Sequence, residues 1–245
     1  MNKLINISKI LICTLLLASC TNFLELDPRD SYTEKDVWNS LENTYLYVYG
    51  FYKPIYEYGP YGTKYGGVSM HDGFSDILRY NINVMGENGG NVNQTVYNGN
   101  ISPNGNILSD YSYEYNRIRR INEFLYDLGR VNYPEKDMVQ LEAQARFFRA
   151  YLYFKLVRNH KSVIICDEVN GPDGPEEKLK GRSSEDECWD FIVKDLDFAA
   201  DNLPLKWPAN RTGLITRGAA MAFKSRAMLY AKRWEAAEEA AMEVI

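Results

Sequence analysis

Apolar residues recur every three or four positions through most of this chain, and this spacing constrains the fold more than any other feature. It occurs in five stretches, at about 38–55, 110–129, 134–158, 185–203 and 217–245. An interval of three to four residues places apolar side chains on one face of an α-helix. The pattern therefore predicts an all-α fold, with residues 163–165 as a short extended piece.

Helix-start and helix-stop residues flank several of these stretches. Ser184 and Glu187 have the spacing of a capping box before the fourth stretch, and Thr33 and Asp36 form a variant of that box before the first. Gly129 suits the position just past the end of the second stretch. These signals predict separate helices joined by loops, including loops at about 166–182 and 204–212.

Large and charged side chains on the helical faces have predictable roles. Tyr45 and Tyr52 fall on the apolar face of the first stretch, which predicts core packing for both rings. Glu142 and Arg146 are four residues apart and are expected to form an ion pair. Arg149 lies on the same helix, and we expect both arginines to serve as ion-pair or capping partners rather than as ligand contacts.

The last stretch is rich in alanine, which lets two helices approach closely. Its pattern predicts one helix from Arg217 and a second that includes Trp234, Ala237, Ala241 and Ile245. This arrangement resembles a tetratricopeptide unit, in which two helices bury small residues against each other. One unit cannot cover its own apolar face, and the pattern is still running at Ile245. We therefore expect the sequence to be the N-terminal part of a longer protein.

Residues 59–110 differ in composition, because glycine and asparagine crowd there among aromatic and charged residues. A long irregular stretch of this kind in a compact domain is typically functional or disordered, and the aromatic content favours function. Tyr58, Tyr61 and Tyr65, past the end of the first helix, are further candidates. The candidate ligand-binding residues are Asp72, Asp76, Arg79, Tyr80, Asn91, Asn93 and Tyr97. Contact with a protein partner and local packing remain alternative roles for them.

The N-terminus has the organisation of a bacterial lipoprotein signal. Lys3 and Lys9 precede a short apolar segment that ends in Leu-Ala-Ser-Cys at Cys20. The segment is too short to span a bilayer as a helix. We expect residues 1–19 to be a signal peptide, Cys20 to carry acyl chains, and 20–34 to be a linker; an ordinary secretory signal is the alternative.

Composition excludes some classes of partner and leaves the remaining cysteines undecided. The formal charge of −5 becomes −7 once residues 1–19 and their two lysines are removed. An acidic chain of this kind is not expected to bind nucleic acid or anionic lipid by charge. Beyond the signal and the anchor, only Cys166 and Cys188 remain, and a disulfide and two free thiols are both compatible with the sequence.

Catalytic and metal-binding motifs are missing from the sequence. The two histidines, His71 and His160, stand far apart, and no nucleophile elbow or phosphate loop is complete. Asp72 and Asp76 could act as a carboxylate pair of a glycosidase, but nothing marks either as the acid. We predict a protein that is not an enzyme and that has no metal or cofactor.

Four segments in order resemble the SusD/RagB family of starch-utilisation-type outer-membrane lipoproteins. They are 19–28 (SCTNFLELDP), 142–154 (EAQARFFRAYLYF), 195–204 (DLDFAADNLP) and 213–230 (GLITRGAAMAFKSRAMLY). The second is the most specific, because it closely resembles the family's Ala-x-Ala-Arg-Phe-x-Arg-Ala helix. Members of the family are about twice as long as this chain.

The resemblance implies an all-α, SusD-like fold of tetratricopeptide-like helix pairs with long irregular loops, truncated here at its C-terminus. It implies a helical domain at 35–245, with a ligand-face insertion at 59–110 and tetratricopeptide-like helices at 134–245. It further implies a lipid-anchored protein on the outer face of the outer membrane that captures a glycan and delivers it to a SusC-like, TonB-dependent transporter. The alternative is a helical-repeat surface lipoprotein that binds a protein or peptide.

Overall fold

The computed structural model describes residues 34–58, 111–169 and 180–244. Within these ranges the chain is helical and contains no β-strand, which confirms the predicted all-α class. The α-helices are α1 (Glu34–Trp38), α2 (Leu41–Tyr49), α3 (Lys53–Tyr58), α4 (Tyr111–Leu128), α5 (Glu135–His160), α6 (Glu185–Asn202), α7 (Arg217–Tyr230) and α8 (Trp234–Met242). Short 3-10 helices lie at Gly50–Tyr52 and Ala209–Arg211.

The chain divides into two compact units, Met1–Thr44 and Tyr45–Ile245. In the described part of the first unit, side chains satisfy the carbonyl groups near the end of α1. The Thr44 hydroxyl donates to the carbonyl oxygen of Val37 at 2.8 Å, and the side-chain amide of Asn43 donates to the carbonyl oxygen of Asp36 at 2.9 Å. These hydrogen bonds fix the turn between α1 and α2.

The prediction of one continuous helix over 38–55 is wrong, because three α-helices and a 3-10 turn occupy residues 34–58. Ser40 starts a new helix, since its hydroxyl accepts a hydrogen bond from the backbone N–H of Asn43 at 3.2 Å. Gly50 weakens the helix that follows, and Pro54 has no N–H to donate to the Gly50 carbonyl in the α-helical pattern. Pro54 instead takes the second position of α3, where an amide proton is not needed.

Helices α4 to α8 each pack against the next one in sequence. The capping box predicted before α6 is confirmed, because the Ser184 hydroxyl accepts from the Glu187 amide and the Glu187 carboxylate accepts from the Ser184 amide. Hydrogen bonds from Ser184 lower the pKa of Glu187. Gly129 directly follows α4 as predicted, although it does not adopt the left-handed conformation of a typical C-cap glycine.

Helices α7 and α8 form the predicted small-residue pair. Ala220, Ala227, Ala237 and Ala240 are buried, and the Ser225 hydroxyl donates to the Ala237 carbonyl at 2.8 Å. The other alanines of α7 are less buried, and Ala222 is exposed. Helix α8 ends at Met242, and Ile245 lies outside the described residues.

Tyr45 and Tyr52 lie in the core, as their helical positions predict. Tyr45 is fully buried and its hydroxyl donates to the Asp137 carboxylate at 3.1 Å, while the Arg211 guanidinium lies 3.5 Å above its ring centre. The Tyr52 hydroxyl accepts from the Ile215 amide at 2.7 Å. Burial raises the pKa of both tyrosines. These contacts hold the loop between α6 and α7 against α2, the 3-10 helix at Gly50–Tyr52 and α5.

No helix in the described ranges combines the length and the apolar character needed to cross a bilayer.

Candidate functional site

The predicted ligand face lies outside the described residues. This applies to Asp72, Asp76, Arg79, Tyr80, Asn91, Asn93 and Tyr97, to Tyr61 and Tyr65, and to the anchor residue Cys20. Tyr58 was expected past the end of the helix, but it is the last residue of α3. The roles of all these residues therefore stay predictions.

A cleft of about 800 Å³ lies between α4, α5 and α6, and we name it the α4–α6 cleft. Its walls are the C-terminal part of α4 with the turn that follows, the first half of α5, the middle of α6, and residues 167–169. Tyr126 stands at its rim and is 60% exposed. The cleft combines aromatic, apolar and charged groups, which sets it apart from the apolar core beside it.

A buried hydrogen-bonded network forms the floor of this cleft. The Arg149 guanidinium holds both oxygens of the Asp195 carboxylate, with Nε to Oδ2 at 2.7 Å and Nη2 to Oδ1 at 2.9 Å. Its Nη1 donates to the Asn122 side-chain oxygen at 2.9 Å, and the Asn122 amide donates to the Cys166 carbonyl at 2.8 Å. The network therefore ties α4, α5, α6 and the extended segment to one another.

Both ions of this pair are withdrawn from water, so the cost of burying them opposes their attraction for each other. Asp195 is 1% exposed and the Arg149 side chain is 8% exposed. Burial by itself would lower the pKa of Arg149, but the hydrogen bonds and the charge of Asp195 outweigh burial and raise that pKa. The prediction that Arg149 serves as an ion-pair partner is confirmed, and its partner is Asp195.

Arg146 also forms the ion pair expected from its spacing. Its Nε and Nη2 lie 2.8 and 2.6 Å from Glu142 Oε1, and its guanidinium covers the Phe198 ring at 4.0 Å. Its Nη1 lies 3.8 Å from Asp195 Oδ1, which is too long for a hydrogen bond. One edge of the guanidinium therefore faces the cleft without a hydrogen bond from Nη1 to the described part of the chain.

Two tyrosine hydroxyls hold the extended segment at 163–166 in the manner of a neighbouring strand. The Tyr115 hydroxyl accepts from the Ile164 amide at 3.0 Å and donates to the Ile164 carbonyl at 2.7 Å. The Tyr153 hydroxyl accepts from the Cys166 amide at 2.7 Å and donates to the Cys166 carbonyl at 3.1 Å. Burial raises the pKa of both phenols, so they stay protonated and able to donate. We call this arrangement the tyrosine clamp; it fixes the chain that leads into residues 167–169.

Replacing Tyr153 by phenylalanine is expected to lower the free energy of unfolding by about 0.5–1.5 kcal/mol, because the Cys166 amide and carbonyl lose their part-buried hydrogen bonds to the Tyr153 hydroxyl. Hydrogen exchange should show faster exchange at the Cys166 amide than in the parent chain. Urea unfolding measures the stability change. Tyr126→Phe is the matched control, because it removes a hydroxyl from a largely exposed ring. Equal losses in the two variants would contradict the clamp.

The two cysteines beyond the anchor, Cys166 and Cys188, do not form a disulfide with each other. Cys188 is buried, and its sulfur lies 3.7 Å from the Val163 carbonyl oxygen. Burial raises the pKa of the Cys188 thiol, which keeps it protonated. Of the alternatives that the sequence left open, the structure excludes a disulfide between Cys166 and Cys188.

Sequence analysis missed Asn122 and Asp195 as members of the cleft floor. A signal was present, because both are polar residues at buried helical positions: Asn122 follows Ile121, and Asp195 lies three residues after Ile192. A polar residue within an apolar face indicates a partner on the neighbouring helix. What spacing alone could not supply was the identity of that partner, since Arg149 lies 46 residues from Asp195.

In the described ranges, no group of three or more histidine, cysteine, aspartate or glutamate side chains is placed to hold a metal ion.

Comparison with known proteins identifies the family. The model of a SusD-like family, described as starch-binding and associating with the outer membrane, matches residues 22–229. The match covers most of the chain, and the chain belongs to the SusD-like family. This family is one of carbohydrate-binding proteins rather than of enzymes.

Individual relatives agree with this assignment. A SusD-like protein of Formosa agariphila is 24% identical over 237 residues, covering 93% of this chain and 43% of the relative. A SusD-like crystal structure from Bacteroides fragilis is 25% identical with a TM-score of 0.63, over 89% of this chain and 40% of that one. A laminarin-binding SusD-like protein is 22% identical with a TM-score of 0.65, over 83% and 43%. The chain spans less than half the length of these proteins.

Proposed function

We propose that this chain belongs to a surface lipoprotein of the outer membrane that captures oligosaccharides and delivers them to a TonB-dependent, SusC-like transporter. The family match over residues 22–229 is the observation that carries the proposal. The laminarin-binding relative of similar fold supports a glycan as the ligand class. The lipoprotein-like sequence around Cys20 supports attachment to a membrane through acyl chains.

The proposed ligand face is the insertion at 59–110. Sugar rings need flat apolar faces, and their hydroxyl groups need short polar side chains or arginine. Tyrosines and the polar candidates supply both kinds of group there: Asp72, Asp76, Arg79, Tyr80, Asn91, Asn93 and Tyr97. A loop carried by a rigid helical scaffold is the usual setting for such a site.

The described helices would provide that scaffold. The cleft-floor network joins three helices, and the tyrosine clamp joins the extended segment to α4 and α5. Such cross-links hold a scaffold in one arrangement, which lowers the ordering cost when a ligand binds to its loops.

Calorimetry against starch, laminarin and other neutral glycans tests the proposal. We expect at least one glycan to bind the parent chain, and we expect Asp72→Ala with Tyr80→Ala to weaken that binding about tenfold or more. Asp201→Ala is the control, because Asp201 is an exposed carboxylate at the end of α6 and lies outside the insertion. A chain that binds no glycan but still associates with the transporter would contradict glycan capture and favour a protein-binding role.

A further inference from the structure

We propose that the α4–α6 cleft is a second binding site, for a neutral oligosaccharide of two to three sugar units, built from residues other than those of the proposed ligand face at 59–110. The proposal rests on the proposed function, because it assumes that the protein handles glycans. It adds a site that the sequence does not predict, built from residues of the helical scaffold.

The size and shape of the cleft suit a short oligosaccharide. Its volume of about 800 Å³ is within the range of small-molecule sites, and it is open on one side, so a chain of sugars could extend out of it. Tyr126 stands at the rim with more than half of its surface exposed, and Tyr133 also lines the cleft. The Arg130 guanidinium lies over one face of the Tyr126 ring, 5.5 Å from its centre, so the opposite face is the one offered to a ligand. An aromatic face of this kind is the group on which the apolar face of a sugar ring stacks.

Donors and acceptors for sugar hydroxyls lie within the same cleft. Nη1 of Arg146 is beyond hydrogen-bonding distance of Asp195 and can donate to a ligand oxygen. Lys194 is exposed on α6, and Glu168 is exposed on the opposite wall. A guanidinium edge, an ammonium and a carboxylate around one aromatic face can pair with adjacent hydroxyl groups, which both donate and accept.

The charges in the cleft favour a neutral ligand over an acidic one. Five carboxylates line it against three cations, and two of the cations are already held by carboxylates: Arg149 by Asp195 and Arg146 by Glu142. Lys180, outside the lining, lies 3.5 Å from a third carboxylate, that of Asp167, and carboxylates still outnumber cations when it is included. A uronic acid or sulfated sugar would meet net negative charge and be repelled.

The walls of the cleft are held in place before any ligand arrives. The Arg149–Asp195 pair fixes α5 to α6, and Asn122 joins both to α4. The tyrosine clamp holds Cys166, directly before the wall formed by residues 167–169. A site with fixed walls loses little conformational entropy on binding, which matters for a sugar because its individual contacts are weak.

The experiment is a titration of the isotope-labelled full chain with maltotriose and laminaritriose, followed by NMR of backbone amides. We expect saturable shifts at Tyr126, Val169 and Lys194. Tyr126→Ala should weaken this binding about tenfold, and Lys194→Ala should weaken it as well. Trp234→Ala on α8 should leave it unchanged; it is the matched control because Trp234 is 61% exposed, against 60% for Tyr126.

The outcomes separate this inference from the proposed function. Shifts confined to residues 59–110, with equal binding by Tyr126→Ala and Trp234→Ala, would overturn the cleft site and leave glycan capture standing. Shifts at the cleft that disappear in Tyr126→Ala would support the second site. No saturable shift anywhere with either sugar, in a chain that also fails to bind glycans by calorimetry, would contradict glycan capture itself.

Discussion

Replacing Arg149 by methionine is expected to lower the free energy of unfolding by about 3–5 kcal/mol, because it leaves the Asp195 carboxylate without its principal partner in the interior. Asp195 is 1% exposed and receives two hydrogen bonds from Arg149. Arg146 is the next nearest cation, but its Nη1 is 3.8 Å away and its guanidinium is engaged with Glu142. Urea unfolding monitored by helical circular dichroism gives the change.

The double variant Arg149→Met, Asp195→Leu shows whether the unpaired charge is the cause. With both charges replaced by apolar groups, most of the lost stability should return, since a buried ion pair and a well-packed apolar pair are often comparable in free energy. Arg119→Met is the control. Its Nε lies 2.8 Å from Glu123, but that pair is exposed and should contribute less than about 1 kcal/mol. Equal losses in the single and double variants would rule out the charge explanation.

Replacing Cys20 by alanine is expected to abolish lipid attachment completely. A thiol is the group that takes the diacylglyceryl chain, and alanine offers no atom that can replace it. Metabolic labelling with palmitate in a host that processes lipoproteins should label the parent chain and leave the variant unlabelled. The variant should also leave the membrane fraction, because it lacks acyl chains and the few apolar residues of the linker, Phe23, Leu24 and Leu26, are not enough to replace them.

Cys166→Ala serves as the control for this labelling. Cys166 is half-buried within the helical domain and far from Cys20 in sequence, so its replacement should not affect acylation. Labelling of Cys20→Ala at the level of the parent would refute the lipid assignment and favour an ordinary secretory signal. Loss of label in the Cys166 variant as well would point to a general failure of export.

The helical part of the fold could be predicted from sequence because its signals are local. The apolar spacing of α4, α5 and α6 and the capping box at Ser184 each depend on residues within a few positions. The first stretch was predicted wrongly for a related reason. Its apolar spacing continues through the breaks that Ser40, Gly50 and Pro54 produce, so that spacing alone does not reveal where each helix ends.

The candidate site was harder to predict because its contacts are distant in sequence. The predicted ligand residues share a sugar-binding chemistry, but composition does not determine which of them converge on one ligand. The α4–α6 cleft differs, because helix packing rather than local composition defines it. Arg149 could be assigned to a scaffold helix from the sequence, but only the packing of three helices brings it together with Asn122, Tyr126 and Asp195.

The order in which α4 to α8 pack has a consequence for how the chain folds. Because each of these helices contacts the next one in sequence, most of the scaffold can form from short-range contacts soon after each pair of helices is synthesised. The hydrogen bond between Tyr52 and Ile215 spans 163 residues and cannot form until Ile215 has been synthesised. We expect the Tyr52–Ile215 hydrogen bond to form late in folding, so that variants of Tyr52 would speed unfolding more than they slow refolding.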